Sequence, residues 1–535
     1  MNRLFYSLVA AVFLVAAGIT FFWPPFGWTF LVLVPLLVVG LQDSLQRRQA
    51  VRRNFPVIGN MRYLFEAIRP EISQYFIESN TDGKPFSREQ RSVVYQRAKR
   101  QLQTVPFGTQ QDLYRIGAEW INHSLHARHP QCREHRVRIG GPDCKQPYDA
   151  SLLNISAMSF GSLSRNAVLA MSKGAAMGGF FHNTGEGGIS PPHLEGGADL
   201  CWQIGTGYFG CRSEEGRFDP DKFRERASLD AVKLIEIKLS QGAKPGHGGI
   251  LPAAKITPEI ASIRSVPMGA DVISPPAHSA FSGPRGLLEF VATLRELSGG
   301  KPVGFKLCVG RRSEFLSIAR AIHETGIAPD FITVDGAEGG TGAAPLEFSN
   351  SVGWPLTEGL LFVHNALVGF GVREHIKVIA AGKIVTAFDM AKRMALGADL
   401  CNSARAMMFA VGCIQARKCH SNHCPVGVAT QDPGLVRGLV VEDKAPRVRN
   451  YQADTVREFL ELLGAAGLDS PTDLRPEHIL RRLSTTEVKN YGEIYHLLQP
   501  GQLLGEGEPL TGEWPSLLQK TDQQRFDTFA RVANA

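Results

Sequence analysis

Three of the nine cysteines stand in one short run, Cys413-x5-Cys419-x4-Cys424, followed at once by Pro425. Thiolates grouped this closely favour a soft metal or an iron–sulfur cluster. His420 and His423 lie between them, which keeps zinc in view, although zinc sites usually space their first cysteines by about two to four residues. Three thiols with no evident fourth ligand suit a cluster with one vacant corner. Buried cysteines without a metal are the third reading. The other six, at 132, 144, 201, 211, 308 and 401, are scattered. Nothing in their spacing reads as a disulfide framework for a reducing compartment.

The cysteine run must be positioned by what precedes it. From residue 150 short apolar runs end in Gly, Ser, Asn or charged residues: 151–158, 178–184, 234–240, 270–276, 302–309, 330–336, 376–382 and 398–404. Helical stretches separate most of them. Such alternation predicts a parallel sheet in an α/β fold. Eight repeats predict closure into a (β/α)8 TIM barrel over 149–435, with the polar residues after each run on one face. Long gaps after the second and sixth runs predict insertions. A doubly wound open sheet is the alternative, but no GxGxxG follows the first run.

The flanks differ in texture. No charged residue occurs from Leu4 to Gln42, and Phe5–Trp23 is long enough to cross a bilayer as a helix. Pro24 and Pro25 break it, and a second run, Trp28–Leu41, carries Pro35. Arg47, Arg48, Arg52 and Arg53 follow, marking a cytoplasmic side. The reading is a transmembrane helical hairpin over 1–44, with the catalytic body cytoplasmic. A signal peptide, or one span with a re-entrant second run, are the alternatives. Apolar positions at three and four predict a helical collar over 45–148, including 110–125. A C-terminal helical packing region is expected over 436–535, including 476–483. Of the 535 residues, 44% are hydrophobic and 20% charged, which excludes a largely disordered chain. A formal net charge of +7 over this length is no nucleic-acid footprint.

The segments ISAMSFGSLS (155–164), NTGEGG (183–188), IKLSQGAKPGHGG (237–249), ISPP (273–276), FKL (305–307), GGTGAAP (339–345) and GCIQARKCHSNHCPVGVATQD (412–432) resemble, in the same order, the synthase domain of glutamate synthase. With the N-terminal hairpin, the chain resembles the membrane-attached, standalone FMN-binding glutamate synthases. The resemblance implies a barrel holding FMN and a 3Fe-4S cluster on Cys413, Cys419 and Cys424. It implies conversion of 2-oxoglutarate and ammonia to glutamate.

Against that chemistry, Ala157, Met158 and Ser159 suit a backbone approach to the flavin edge. Gln241 suits its pyrimidine side, and Lys306 the negative charge at N1–O2. A lysine in an apolar strand is costly unless paired. Gly340, Thr341 and Gly382 offer N–H groups to phosphate. Arg405, where the family usually has a Gly-Thr-Ala turn, offers a bidentate clamp. Lys238, Lys244 and Arg264 match the family's cations for the 2-oxoglutarate dianion. Glu186, the only acid of its loop, is assigned to ammonia entry or proton transfer, alongside Lys244 and Lys306 as catalytic groups. Three departures flank this pocket: Ile250 stands where the family commonly has Gln, His247 where an acid is frequent, and AHSAF follows ISPP.

No glutaminase-sized region precedes the barrel, and no second nucleotide-binding domain is evident. Ammonia is therefore expected free or from a partner, and electrons from an external donor such as ferredoxin. Two alternatives remain at this level: a related synthase acting on another amine or 2-oxo acid, of the N-methylglutamate type, and a membrane-tethered electron-transfer subunit. The oligomeric state is not legible.

Overall fold

The computed structural model describes residues 2–101, 104–129 and 135–526, so Cys132 and the end of the expected C-terminal region lie outside the described residues. The chain divides into two compact units, Met1–Arg88 and Glu89–Ala535.

The first unit begins with helices Asn2–Phe22 and Phe30–Leu45, joined by a 3-10 turn over Pro24–Thr29. Proline lacks an N–H but suits the first turn of such an element. Pro35 lies inside the second helix rather than ending it. Phe5–Phe22 and Pro24–Leu45, with mean hydropathies of 2.2 and 1.9, are long and apolar enough to cross a membrane by length and composition. Asp43 is buried near the end of the second helix. Its carboxylate accepts the Val57 N–H at 3.0 Å and the Asn60 amide, fastening the start of helix Gly59–Ile72.

The second unit is built on eight parallel strands: β1 (Leu153–Ile155), β2 (His182–Asn183), β3 (Leu200–Ile204), β4 (Val232–Lys238), β5 (Val303–Leu307), β6 (Phe331–Asp335), β7 (Lys377–Ala381) and β8 (Leu400–Ser403). They form a closed barrel in which β8 pairs back onto β1, with Asn402 opposite Asn154. Phe181, Cys201, Leu234, Phe331, Ile379 and Leu400, from the beginnings of the strands or just before them, fill the barrel floor with Ile139 and Ala150. Each of the Phe, Leu and Ile side chains among them contributes about 1.5–3 kcal/mol on burial. The apolar residues thus occupy the floor, and the polar ones follow toward the C-terminal mouth.

The barrel corrects the expected strand set in one place. The third strand is LCWQI, inside what reads as the first long gap, and ADVISPP is not a barrel strand. Val272–Ile273 instead pairs antiparallel with Ile250–Leu251 in the β4–β5 connection. The reason is local: Pro275 and Pro276, just beyond Ser274, lack the N–H a barrel strand must donate, and Ile273 is 65% exposed. The true insertion lies between β4 and β5. It carries this hairpin and helix Pro258–Arg264.

Two helical expectations also fail. Around 110–125 the chain makes turns and a strand, Glu119–Ile121, and the stretch after Arg475 makes strand Ile479–Arg482. These two pair antiparallel, each offering the backbone partners a single helix would have supplied internally. Helices Arg88–Lys99 and Val441–Ala465 form as the periodicity predicts.

Candidate active site

A cavity opens at the C-terminal mouth of the barrel, where loops converge from strands that are separate in sequence. Ala157, Met158 and Ser159 follow β1. Glu186 follows β2. Gln241 and Lys244 follow β4. Gly340 and Thr341 follow β6, and Arg405 follows β8. Arg264 enters from the last turn of the insertion helix, and Cys419 from the cysteine loop. With Ile250, eleven of the residues singled out in the sequence outside the cysteine loop therefore share one cavity wall. Lys238, Lys306, Gly382, Cys413 and Cys424 are set back from it.

The wall is strongly cationic. Lys244, Lys255, Arg264 and Arg405 line it, against Glu186 alone as carboxylate. Glu186 is itself matched: its Oε1 accepts the Lys238 ammonium at 2.7 Å, both side chains nearly buried. Burial pushes the Glu186 carboxyl up, but Lys238, Lys244 and Arg264 outweigh it and hold it below the ordinary range. Burial pulls Lys244 down to about 8, opposed by Glu186 and reinforced by Lys238. Its ammonium donates to the Ala343 carbonyl at 3.1 Å. Arg264 donates from Nη2 to the Phe160 carbonyl at 2.8 Å and lies over the Phe209 ring. Among the described residues its buried Nε has no hydrogen-bond partner. With Glu186 neutralised by Lys238, the remaining cations call for an anionic occupant.

Below the cavity the barrel interior holds a paired network. Lys306 bridges to Asp335 at 2.9 Å, so the cost of its burial in β5 is met. Burial lowers the Lys306 pKa, yet Asp335, Glu236 and Glu186 outweigh that and raise it. Glu236 accepts from Asn183 at 2.8 Å, Gln203 at 2.6 Å and Thr333 at 2.6 Å. Lys306 is thus a permanent, oriented cation at the end of β5.

The loops around the cavity meet at close range. Gln241 donates to the Thr341 hydroxyl at 3.2 Å, and Arg405 donates to the Thr341 carbonyl and, at 3.0 Å, to the Met408 sulfur. Arg405 lies across Gly340, where a Cβ would meet its Nε at 2.5 Å. Gly185, at φ +65°, lets the Glu186 loop pass the Met158–Ser159 backbone, and a Cβ there would lie 2.6 Å from the Ser159 nitrogen. Small lining residues, backbone edges and fixed cations suit a planar, phosphate-bearing group. Gly382 adopts φ +127° behind this wall, against the Gly336 backbone.

The cysteine loop covers the cavity beside β1. Cys413 and Cys419 are partly exposed and Cys424 is buried. Burial raises the Cys413 thiol to about 11, and the other two thiols are close enough to add to that shift. Its sulfur accepts the Gln415 N–H at 3.5 Å. Among the described residues no set of three His, Cys, Asp or Glu side chains is drawn into a coordination site. The donor chemistry, three soft thiols on one loop without a nearby carboxylate in the set, suits iron and sulfide better than a hard ion.

Several residues here escape a reading of motifs. Lys255 is 2% exposed and donates to the carbonyls of Ser162, Cys419 and Ala429. Gln431 donates to the carbonyls of Gly161 and Leu163, both at 2.9 Å, joining the cysteine loop to the β1 loop. Tyr95, from helix Arg88–Lys99, donates to the Cys413 carbonyl at 2.6 Å. His278 donates from Nε2 to the Lys238 carbonyl at 2.9 Å, which leaves Nδ1 to accept from Tyr208 at 3.1 Å. Gln431 and His278 lie inside segments quoted above without having been singled out, and Lys255 carries a signal of its own, a charge amid the small apolar residues of PAAKIT.

Residues 130–469 match the family model described as the conserved region in glutamate synthase. The chain is 37% identical over 509 residues to the glutamate synthase large subunit-like protein YerD of Bacillus subtilis, covering 87% of this chain and 97% of that one. It is 38% identical over 323 residues to an archaeal glutamate synthase [NADPH] of Methanocaldococcus jannaschii, covering 60% of each. Among solved structures, a mutant flavocytochrome b2 with pyruvate bound aligns at TM-score 0.43 and 13% identity, over 84% of this chain and 92% of that one. By the extent of the family match and of the YerD likeness, the chain belongs to the glutamate synthase family.

Proposed function

We propose that this chain is an FMN- and 3Fe-4S-dependent oxidoreductase that reductively aminates 2-oxoglutarate to glutamate with ammonia. The observation that carries the proposal is the cationic mouth: Lys244, Arg264 and Arg405 around a single carboxylate already paired with Lys238. A dicarboxylate and a phosphate-bearing cofactor are together the kind of content such a wall stabilises. The balance is 2-oxoglutarate, ammonia, two electrons and two protons giving glutamate and water. FMN, when bound, supplies the hydride, and the cluster supplies electrons one at a time.

The chain's own residues do the rest. Lys244 and Arg264 hold the substrate carboxylates and exclude water from them. Glu186, kept anionic by its cations, orients the incoming amine and moves a proton at the Oε atom not bound to Lys238. Ala157, Met158, Ser159 and Gln241 would edge the isoalloxazine. Gly340, Thr341, Gly382 and Arg405 would hold the phosphate. Lys306 would face the N1–O2 side. Cys413, Cys419 and Cys424 would ligate the cluster.

Ile250 favours a second reading. It lines the cavity where the family commonly has an amide, and an apolar wall suits an alkylamine such as methylamine. The two apolar N-terminal helices and the arginines after them support a membrane anchor with the barrel on the cytoplasmic side, fed by an electron donor such as ferredoxin. One experiment separates these readings: purified full-length protein, loaded with FMN, iron and sulfide and chemically reduced, is given 2-oxoglutarate with labelled ammonia or methylamine. Labelled glutamate supports the first reading and N-methylglutamate the second. Flavin reoxidation without either product leaves neither.

A further inference from the structure

We propose that Lys255 is a positioning residue for the cysteine loop, the resident counter-charge of an anionic cluster held there, and that it biases that cluster toward its reduced form. The proposal rests on the iron–sulfur reading above. Its evidence is separate from the cysteine spacing.

Lys255 closes the short 3-10 turn Ala253–Lys255 in the insertion between β4 and β5. Its ammonium nitrogen lies 3.1 Å from the Ser162 carbonyl oxygen, 2.6 Å from that of Cys419 and 2.9 Å from that of Ala429. Three acceptors at hydrogen-bond distance use three N–H donors. A neutral amine has only two, so the geometry specifies the charged form. Among the described residues its ammonium forms no salt bridge with a carboxylate; its partners are the three backbone carbonyls. A buried ammonium without an anion costs several kcal/mol, and carbonyl dipoles offset only part of that. The other buried lysines of this region have carboxylates within reach: Lys238 has Glu186, and Lys306 has Asp335. Lys255 stands apart because its anion is the content of the cysteine loop.

The placement also does mechanical work. One side chain ties the insertion to the β1 loop through Ser162, to the middle of the cysteine run through Cys419 and to the chain just beyond it through Ala429. Reduction of a cluster adds one negative charge. A fixed cation beside it in a low-dielectric site stabilises the reduced form more than the oxidised one and raises the potential.

The test uses full-length protein in detergent, loaded with iron and sulfide, with the cluster followed by electron paramagnetic resonance during a redox titration. Wild type, Lys255→Arg and Lys255→Gln are compared. The arginine variant keeps the potential close to wild type. The glutamine variant shifts it negative by at least tenfold in the reduction equilibrium, which is about 59 mV for one electron. Equal potentials in all three loaded proteins overturn the proposal while leaving the cluster intact. If the glutamine variant holds no iron, the arginine variant decides: wild-type iron content and potential support a charge role, and loss of iron there too assigns the residue to shape alone and overturns it. Wild-type protein that takes up no iron removes the iron–sulfur reading itself.

Discussion

Lys244 concentrates the chemistry of the site in one titratable group. Its pKa of about 8 comes first from burial, against the pull of Glu186. Below that value it is an ammonium aimed into a cationic cavity; above it, the charge is gone. Affinity for 2-oxoglutarate should therefore fall as pH rises through about 8, and Lys244→Arg should move that fall to higher pH. Binding titrations between pH 6.5 and 9.5 read this directly, and a flat profile would place the substrate elsewhere. Lys244→Met should weaken binding by one to two decades, since a hydrogen bond to a charged group is worth about 1.5–3 kcal/mol, with FMN content unchanged. Glu186 differs in kind. Its neighbours keep it ionised and it in turn helps keep Lys244 charged, so Glu186→Gln should lower kcat and move the loss of 2-oxoglutarate affinity to lower pH.

At the scale of elements, the cysteine loop is held by three neighbours that no motif would group. Tyr95 reaches it from helix Arg88–Lys99, Lys255 from the insertion, and Gln431 ties its far end to the β1 loop. Cys419→Ser should abolish or destabilise the cluster, because a serine oxygen is a poor ligand for iron and sulfide. Iron content and the paramagnetic signal of the oxidised protein measure it; a protein that carries zinc and no iron would reject the ligand set. Tyr95→Phe removes one neutral hydrogen bond, about 0.5–1.5 kcal/mol. It should quicken cluster loss under oxygen without changing FMN content, as iron release over time would show.

Over the whole molecule, two features make separate predictions. Deleting residues 1–44 removes both apolar helices and no residue of the barrel, so the truncated protein should be soluble without detergent and still bind FMN. Loss of flavin from a folded truncation would contradict the two-part organisation. The second feature is a set of buried imidazoles. Burial lowers His182 to about 3 and His278 and His364 to about 4, and holds His193 well below its ordinary value. Between pH 6.5 and these values the unfolded chain binds the extra protons, so stability falls as pH falls. Each group contributes up to about 1.4 kcal/mol per pH unit in that window. Melting temperature should decline steeply from pH 6.5 to 5, and His364→Asn should flatten the decline.

Much of this protein was legible from spacing alone. The cysteine run, the N-terminal apolar stretches and seven of the eight barrel strands are local patterns, and a local pattern survives in one dimension. The third strand was not legible, because all five residues of LCWQI are buried and burial on both faces erases alternation, although glycines flank it on either side. The helix expected around 110–125 failed for the converse reason: its periodicity is real, but Glu119–Ile121 finds better partners in Ile479–Arg482, far along the chain. The site divides the same way. Its glycines and its cations other than Lys255 could be named in advance, since each sits in a recognisable motif. Their partners could not. Lys306 meets Asp335, Glu186 meets Lys238, and Lys255 meets three carbonyls only when the barrel closes, because those contacts depend on distance in space rather than on order in the chain.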